Sequence, residues 1–137
     1  MGFIRVSELP TKSGFSAGRT KNYALMVSVR KSSKDGRRSL SFTIGHETMK
    51  RARLQIGDRM DFEMDDSSSL WRMFRVTGSK GWALSNSGGG KTNPSVSILW
   101  REGLPNVKLG REYLNDVTVD DDGIYFDFPS SLIDSNN

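Results

Sequence analysis

Five basic side chains, Arg30, Lys31, Lys34, Arg37 and Arg38, fall within nine positions and meet a single acid, Asp35. Fixed positive charge at that density suits a phosphate backbone, because each phosphate neutralised releases condensed counterions. Lys50, Arg51 and Arg53 add three more cations further along, and Lys12, Arg19 and Lys21 precede the group. Trp71, Phe74, Trp82 and Trp100 stand near Arg72, Arg75, Lys80 and Arg101. Aromatic rings interleaved with basic groups hold single strands by stacking on bases. The same rings also suit a hydrophobic core, so they are candidates for either role.

Reaction chemistry finds little to work with. Cysteine is absent and His46 is the only histidine, which removes thiol nucleophiles, disulfides and thiolate metal sites. Ser87-Gly-Gly-Gly-Lys-Thr92 has the flavour of a phosphate-binding loop, but Ser85 stands where the pattern needs glycine. Asn93-Pro94 also denies the helix that should follow. Asp120-Asp121-Asp122-Gly123 reads as turn chemistry rather than a calcium loop, which needs spaced acids and a closing Glu. The expectation is a binding protein, not an enzyme, with no metal and no cofactor.

Charge is divided along the chain. Residues 1–59 carry thirteen Lys/Arg against four Asp/Glu, whereas residues 113–137 carry six Asp and no basic residue. A basic portion points to a polyanionic partner, and an acidic end to solubility or self-association. No apolar run is long enough to span a bilayer and the N-terminus lacks a signal-peptide core, so the expectation is a cytoplasmic protein without a membrane partner.

Two periodicities organise these residues. Leu25, Val27 and Val29 alternate with polar or exposed positions, as do Leu40, Phe42 and Ile44, and Asp35-Gly36 between them predicts a β-hairpin. His46 to Leu54 is the one helical stretch. Strands follow at Met60–Met64, Leu70–Val76, Trp82–Leu84 and Val96–Trp100, and a final hairpin at Val117–Asp120 and Ile124–Phe128. Phe3–Val6 reads as an edge strand, residues 85–94 as a flexible connector, and Lys108–Leu114 has no clear type. The fold class expected is mainly β with one short helix, a small barrel or sandwich built from β-hairpins, as a single domain over 1–137.

Residues 40–76 run strand, short helix, Gly-Asp, strand, turn, strand. The stretch LSFTIGHETMKRARLQIGDRMDFEMDD, and above all Leu54-Gln55-Ile56-Gly57-Asp58-Arg59-Met60-Asp61-Phe62-Glu63, resembles the swapped-hairpin domain of AbrB/MazE-type DNA-binding proteins. Glu47 matches the acidic residue of that family's short helix. Gly45 stands where the family has proline, and Ala52 and Arg53 where it has leucine and glycine. The resemblance covers about a quarter of the chain. It implies an intertwined homodimer that binds DNA through Arg37, Arg38, Lys50, Arg51 and Arg53.

The leading expectation is a small DNA-binding regulator or accessory factor that grips phosphates with the basic hairpin and helix, provided these pack side by side. Duplex is favoured, since a two-stranded ribbon fits the major groove. A second expectation is a module that engages a protein of the transcription or replication machinery through its acidic hairpin. A third is a single-strand binder with an OB-like barrel that stacks bases on its tryptophans.

Overall fold

A computed structural model describes residues 23–31, 36–65, 67–86 and 93–134. Nine strands and one helix run in the order β1 (Leu25–Lys31), β2 (Arg38–Ile44), α1 (His46–Ala52), β3 (Arg59–Met64), β4 (Leu70–Val76), β5 (Trp82–Ala83), β6 (Ser95–Leu99), β7 (Gly110–Leu114), β8 (Thr118–Asp120) and β9 (Gly123–Asp127). They form two antiparallel sheets: sheet I, ordered β6-β2-β1-β7, and sheet II, ordered β5-β3-β4-β9-β8. Neither closes into a barrel, and the fold is a small sandwich.

The alternation in the sequence sets which faces meet. Leu25, Val27 and Val29 of β1 and Leu40, Phe42 and Ile44 of β2 are all buried, as are Val96 and Ile98 of β6. Met60, Trp71, Met73, Ile124 and Phe126 answer them from sheet II. Phe42 is the centre of the contact, with ring centroids 4.7 Å from Phe62, 5.7 Å from Trp71 and 5.9 Å from Phe126. Each tilted pair adds about 0.5–1.5 kcal/mol beyond its buried area.

Helix α1 carries the chain from sheet I to sheet II. Its ends are shaped by local chemistry. Glu47 lies in the first turn and Lys50 and Arg51 in the last, each complementing the helix dipole. Gly45 precedes the helix because a Cβ there would lie 2.0 Å from the Tyr23 carbonyl oxygen. That close approach explains glycine where the resembling family has proline. At the other end the Leu54 amide donates to the Met49 carbonyl at 3.0 Å and the Arg53 amide to the Lys50 carbonyl at 3.1 Å. This is a Schellman cap, which normally uses glycine at its left-handed position. Here Arg53 takes that position, at φ 57° and ψ 44°.

The segment Lys108–Leu114, untyped in the sequence, supplies β7, which pairs with β1 along the free side of the hairpin. Ser85, at the start of the expected connector, bridges Ser95. Residues 87–92 of that connector lie outside the described residues, as do Phe3–Val6, Lys12, Arg19, Lys21, Lys34 and Asp35.

Candidate nucleic-acid interface

The register of sheet I decides which basic residues become neighbours. Lys31 is opposite Arg38 and Arg30 opposite Ser39. On the far side of β1, Val29 is opposite Gly110 and Ser28 opposite Arg111. Directly opposed residues share a face, so Arg30 and Arg111 are diagonal neighbours on the outer face, about 7–8 Å apart. On the other flank the Trp100 amide donates to the Arg38 carbonyl at 2.8 Å, which brings the end of β6 alongside the start of β2. The same end of sheet I therefore holds Arg30, Lys31, Arg37, Arg38, Lys108 and Arg111, with Arg101 at its margin. All are exposed except Arg38, which is half-buried.

Two of these guanidinium groups also hold the framework. Arg37 Nη2 donates to the Trp100 carbonyl at 2.9 Å, and Arg38 Nη1 donates to the Val107 carbonyl. They stitch the hairpin to the segments that flank it, so their positions are fixed before any ligand arrives. The ion pairs Arg72–Glu63, at 2.9 Å, and Arg75–Asp58, at 3.7 Å, lie on sheet II, and at the hairpin end Asp134 lines the same hollow as Arg37 and Arg38.

Behind the cations, the outer face of sheet I is a field of small hydroxyls. Ser97, Ser41 and Ser28 lie in one row ending at Arg111, and Ser97 Oγ donates to Ser41 Oγ at 3.2 Å. Along this row Ser97 is exposed and Ser41 half-buried, whereas Ser28 is buried.

The helix set lies elsewhere. Lys50, Arg51 and Arg53 are exposed, but α1 follows the C-terminal end of β2 while the hairpin cations sit at its N-terminal end. Seven residues of strand separate them, about 20 Å. The side-by-side packing expected from the sequence is not found: the cations form two groups at opposite ends of one strand. The reason is topological, since the chain must traverse β2 before it can start the helix.

The four aromatic candidates also separate. Trp71 is 3% exposed and packs on Phe42 and on Phe128, whose centroid is 5.0 Å away, so it is a core residue with no face for a base. Phe74 is half-buried on the outer face of sheet II, with the Arg72 guanidinium 4.0 Å over its ring. Trp82 is half-buried between Phe62, at 6.0 Å, and the Arg101 guanidinium, at 5.4 Å. Trp100 alone stands at the cationic end of sheet I, half-buried, its Nε1 donating to the Pro105 carbonyl at 2.8 Å.

Sheet II presents carboxylates. Asp61, Glu63, Asp127 and the Asp120–Asp122 turn lie on its outer side, where Arg72 spans Glu63 and the Asp122 carbonyl. On the outer face of sheet I the alternation places Arg30 and Arg111 beside hydroxyls, while Lys31 and Arg38 share the face of Val29 and Leu40 at the hairpin end; the outer face of sheet II carries Asp61, Glu63 and Asp127 together with Arg72.

Lys108 and Arg111 escaped the sequence reading because nothing local marks them, and Arg101 stood out only as a neighbour of Trp100. Their membership in the cationic end follows only from β6 and β7 flanking the hairpin, a pairing between segments far apart in the chain. Among the described residues, no group of His, Asp and Glu is arranged to hold a metal ion. No family model, no curated protein and no solved structure matches this chain.

Proposed function

We propose that this protein binds nucleic acid, duplex DNA foremost, by gripping phosphates with the hairpin end of sheet I. One observation carries the reading: the strand register gathers Arg30, Lys31, Arg37, Arg38, Lys108 and Arg111 at one end of a four-stranded sheet. Side chains spread across strands about 4.8 Å apart can follow a row of phosphates. Arg37 and Arg38, held by carbonyl groups, are positioned donors, and Arg30 and Arg111 are the more mobile phosphate contacts. Sequence preference, if present, arises from an arginine at a guanine edge. The role that fits is a regulator or accessory factor rather than an enzyme.

This reading keeps only part of what the AbrB/MazE resemblance implied. Arg37 and Arg38 belong to the cationic end, whereas Lys50, Arg51 and Arg53 lie about 20 Å away and form a separate feature.

The test is fluorescence anisotropy of labelled duplex and single-stranded DNA with wild type, Arg30→Gln/Arg111→Gln and Arg51→Gln. Among the described residues neither Arg30 nor Arg111 makes a side-chain hydrogen bond or ion pair, so the double variant removes charge without removing a described contact. Two lost phosphate contacts at about 1 kcal/mol each predict binding weaker by roughly 10- to 30-fold. Arg51→Gln leaves duplex binding unchanged. Absence of binding by wild type at low salt defeats the proposal.

The carboxylate-rich outer face of sheet II favours a second reading, a protein partner with a basic surface from the transcription or replication machinery. A partner retained from nuclease-treated extract by wild type, and lost on Asp61→Asn/Asp127→Asn, distinguishes it from nucleic-acid binding.

A further inference from the structure

We infer that the cleft between α1 and the segments at residues 54–56 and 93–94 is a second binding site, for a small phosphate monoester with a polar organic body. It lies at the far end of β2 from the proposed nucleic-acid surface and does not depend on that reading.

The cleft encloses about 550 Å³, within the range of small-molecule sites. Its charge has one sign. His46, Lys50 and Arg53 line it, and no carboxylate does among the described residues. The spacing i, i+4 puts His46 and Lys50 on one face of the helix, and Arg53, in the cap that follows it, lines the same cleft. Opposite them, Gln55 and Asn93 supply amide groups that donate and accept hydrogen bonds. Met49, Ile56 and Pro94 give an apolar shelf, with Ile56 57% exposed. Cations on one side, amides on the other and an apolar floor match a phosphate joined to a hydrogen-bonding ring or sugar.

The walls are preformed. The Gln55 amide donates to Asp58 Oδ2 at 2.8 Å, the Gly57 amide to the Leu84 carbonyl at 2.8 Å, and the Leu84 amide to the Asp58 carbonyl at 2.8 Å. Asn93 Nδ2 donates to the Tyr23 hydroxyl at 3.0 Å. These bonds fix the backbone at residues 55–58 and the Asn93 side chain, while His46, Lys50, Arg53 and Gln55 are exposed.

Lys50 and Arg51 can be read as cations that merely complement the helix C-terminus. Arg53 cannot. It is the only non-glycine residue at positive φ among the described residues, at the one position where glycine would cap the helix better. Dipole and cap are served equally well with glycine here and lysine one turn earlier. What arginine adds is a cationic side chain at the lining of the cleft.

The single histidine makes the test site-specific. The full chain is titrated with adenosine 5′-monophosphate, adenosine and an oligonucleotide at constant pH, and the His46 ring resonances are followed by NMR. Adenosine 5′-monophosphate is expected to shift them saturably and adenosine at least tenfold more weakly. Arg53→Gly, which relieves the backbone and so keeps the fold, is expected to weaken the monophosphate at least tenfold. Arg30→Gln/Arg111→Gln leaves the monophosphate titration unchanged even where it abolishes DNA binding, so the two proposals fail separately. No saturable shift, an equal response to adenosine, or an unchanged affinity in Arg53→Gly overturns the inference. So does a shift produced by oligonucleotide and not by monophosphate, which would assign the cleft to nucleic-acid backbone.

Discussion

Arg53 shows how one residue trades stability for chemistry. A left-handed conformation costs an L-residue roughly 1–2 kcal/mol that glycine largely escapes, while glycine gives back part of this in chain entropy. Arg53→Gly is therefore expected to stabilise the fold by about 1 kcal/mol, read from the midpoint of urea unfolding. A lower midpoint would mean that the guanidinium makes a stabilising contact of its own. Asp65 is a second residue whose environment is written in its turn. The Ser67 amide, then the Ser68 and Ser67 hydroxyls, donate to its carboxylate and hold its pKa below the ordinary 3.8. A depressed carboxylate pKa stabilises the turn above the ordinary value, and the effect is lost as pH falls through the folded one. The Ser67 amide shift should accordingly titrate with a midpoint below 3.8, and a midpoint at or above that value contradicts the assignment. Residue type alone could not say that Trp71 is core while Trp100 is half-buried at the cationic end of sheet I.

At the scale of elements, the tight β8–β9 turn locks sheet II. Gly123 has φ 135°, and a Cβ there would meet the Met73 carbonyl oxygen at 2.5 Å. Gly123→Ala must shift β4 or open the hairpin, and is expected to cost about 2–3 kcal/mol in thermal or urea unfolding. A loss under 1 kcal/mol would show that the hairpin yields freely. The β1–β2 hairpin was legible because Leu25, Val27, Val29 and Leu40, Phe42, Ile44 each alternate with polar or exposed residues, and Asp35-Gly36 marks a turn. Helix α1 was legible as the one helical stretch, read as His46 to Leu54, and it ends at Ala52 because Arg53 takes the left-handed cap. Strand β7 was not legible. Gly110-Arg-Glu-Tyr-Leu114 is an edge strand with mixed charge, and its identity is supplied by backbone pairing with β1 rather than by its own side chains.

The whole molecule is a sandwich in which sheet pairing decides which charges become neighbours, and this could not be read from order along the chain. The sequence places its cations early and its aspartates late. The fold redistributes them by sheet: β6 and β7, from the later half, bring Arg101, Lys108 and Arg111 to the hairpin, while β3, from the earlier half, brings Asp61 and Glu63 to the outer face of sheet II. Likewise, the expectation of one continuous basic surface failed because hairpin and helix lie at opposite ends of β2. Two cationic regions of different shape remain, an open sheet end suited to a polymer and a walled cleft suited to a small anion.

The claim on which the functional account rests is that the sheet I cations act together on phosphates. The most direct measurement is the salt dependence of duplex DNA affinity. With six cations engaged, log K should fall against log salt with a slope of about −5.4, and Arg30→Gln/Arg111→Gln should reduce it by about 1.8, to about −3.6. A slope near zero for wild type, or the same slope in the double variant, would contradict the account.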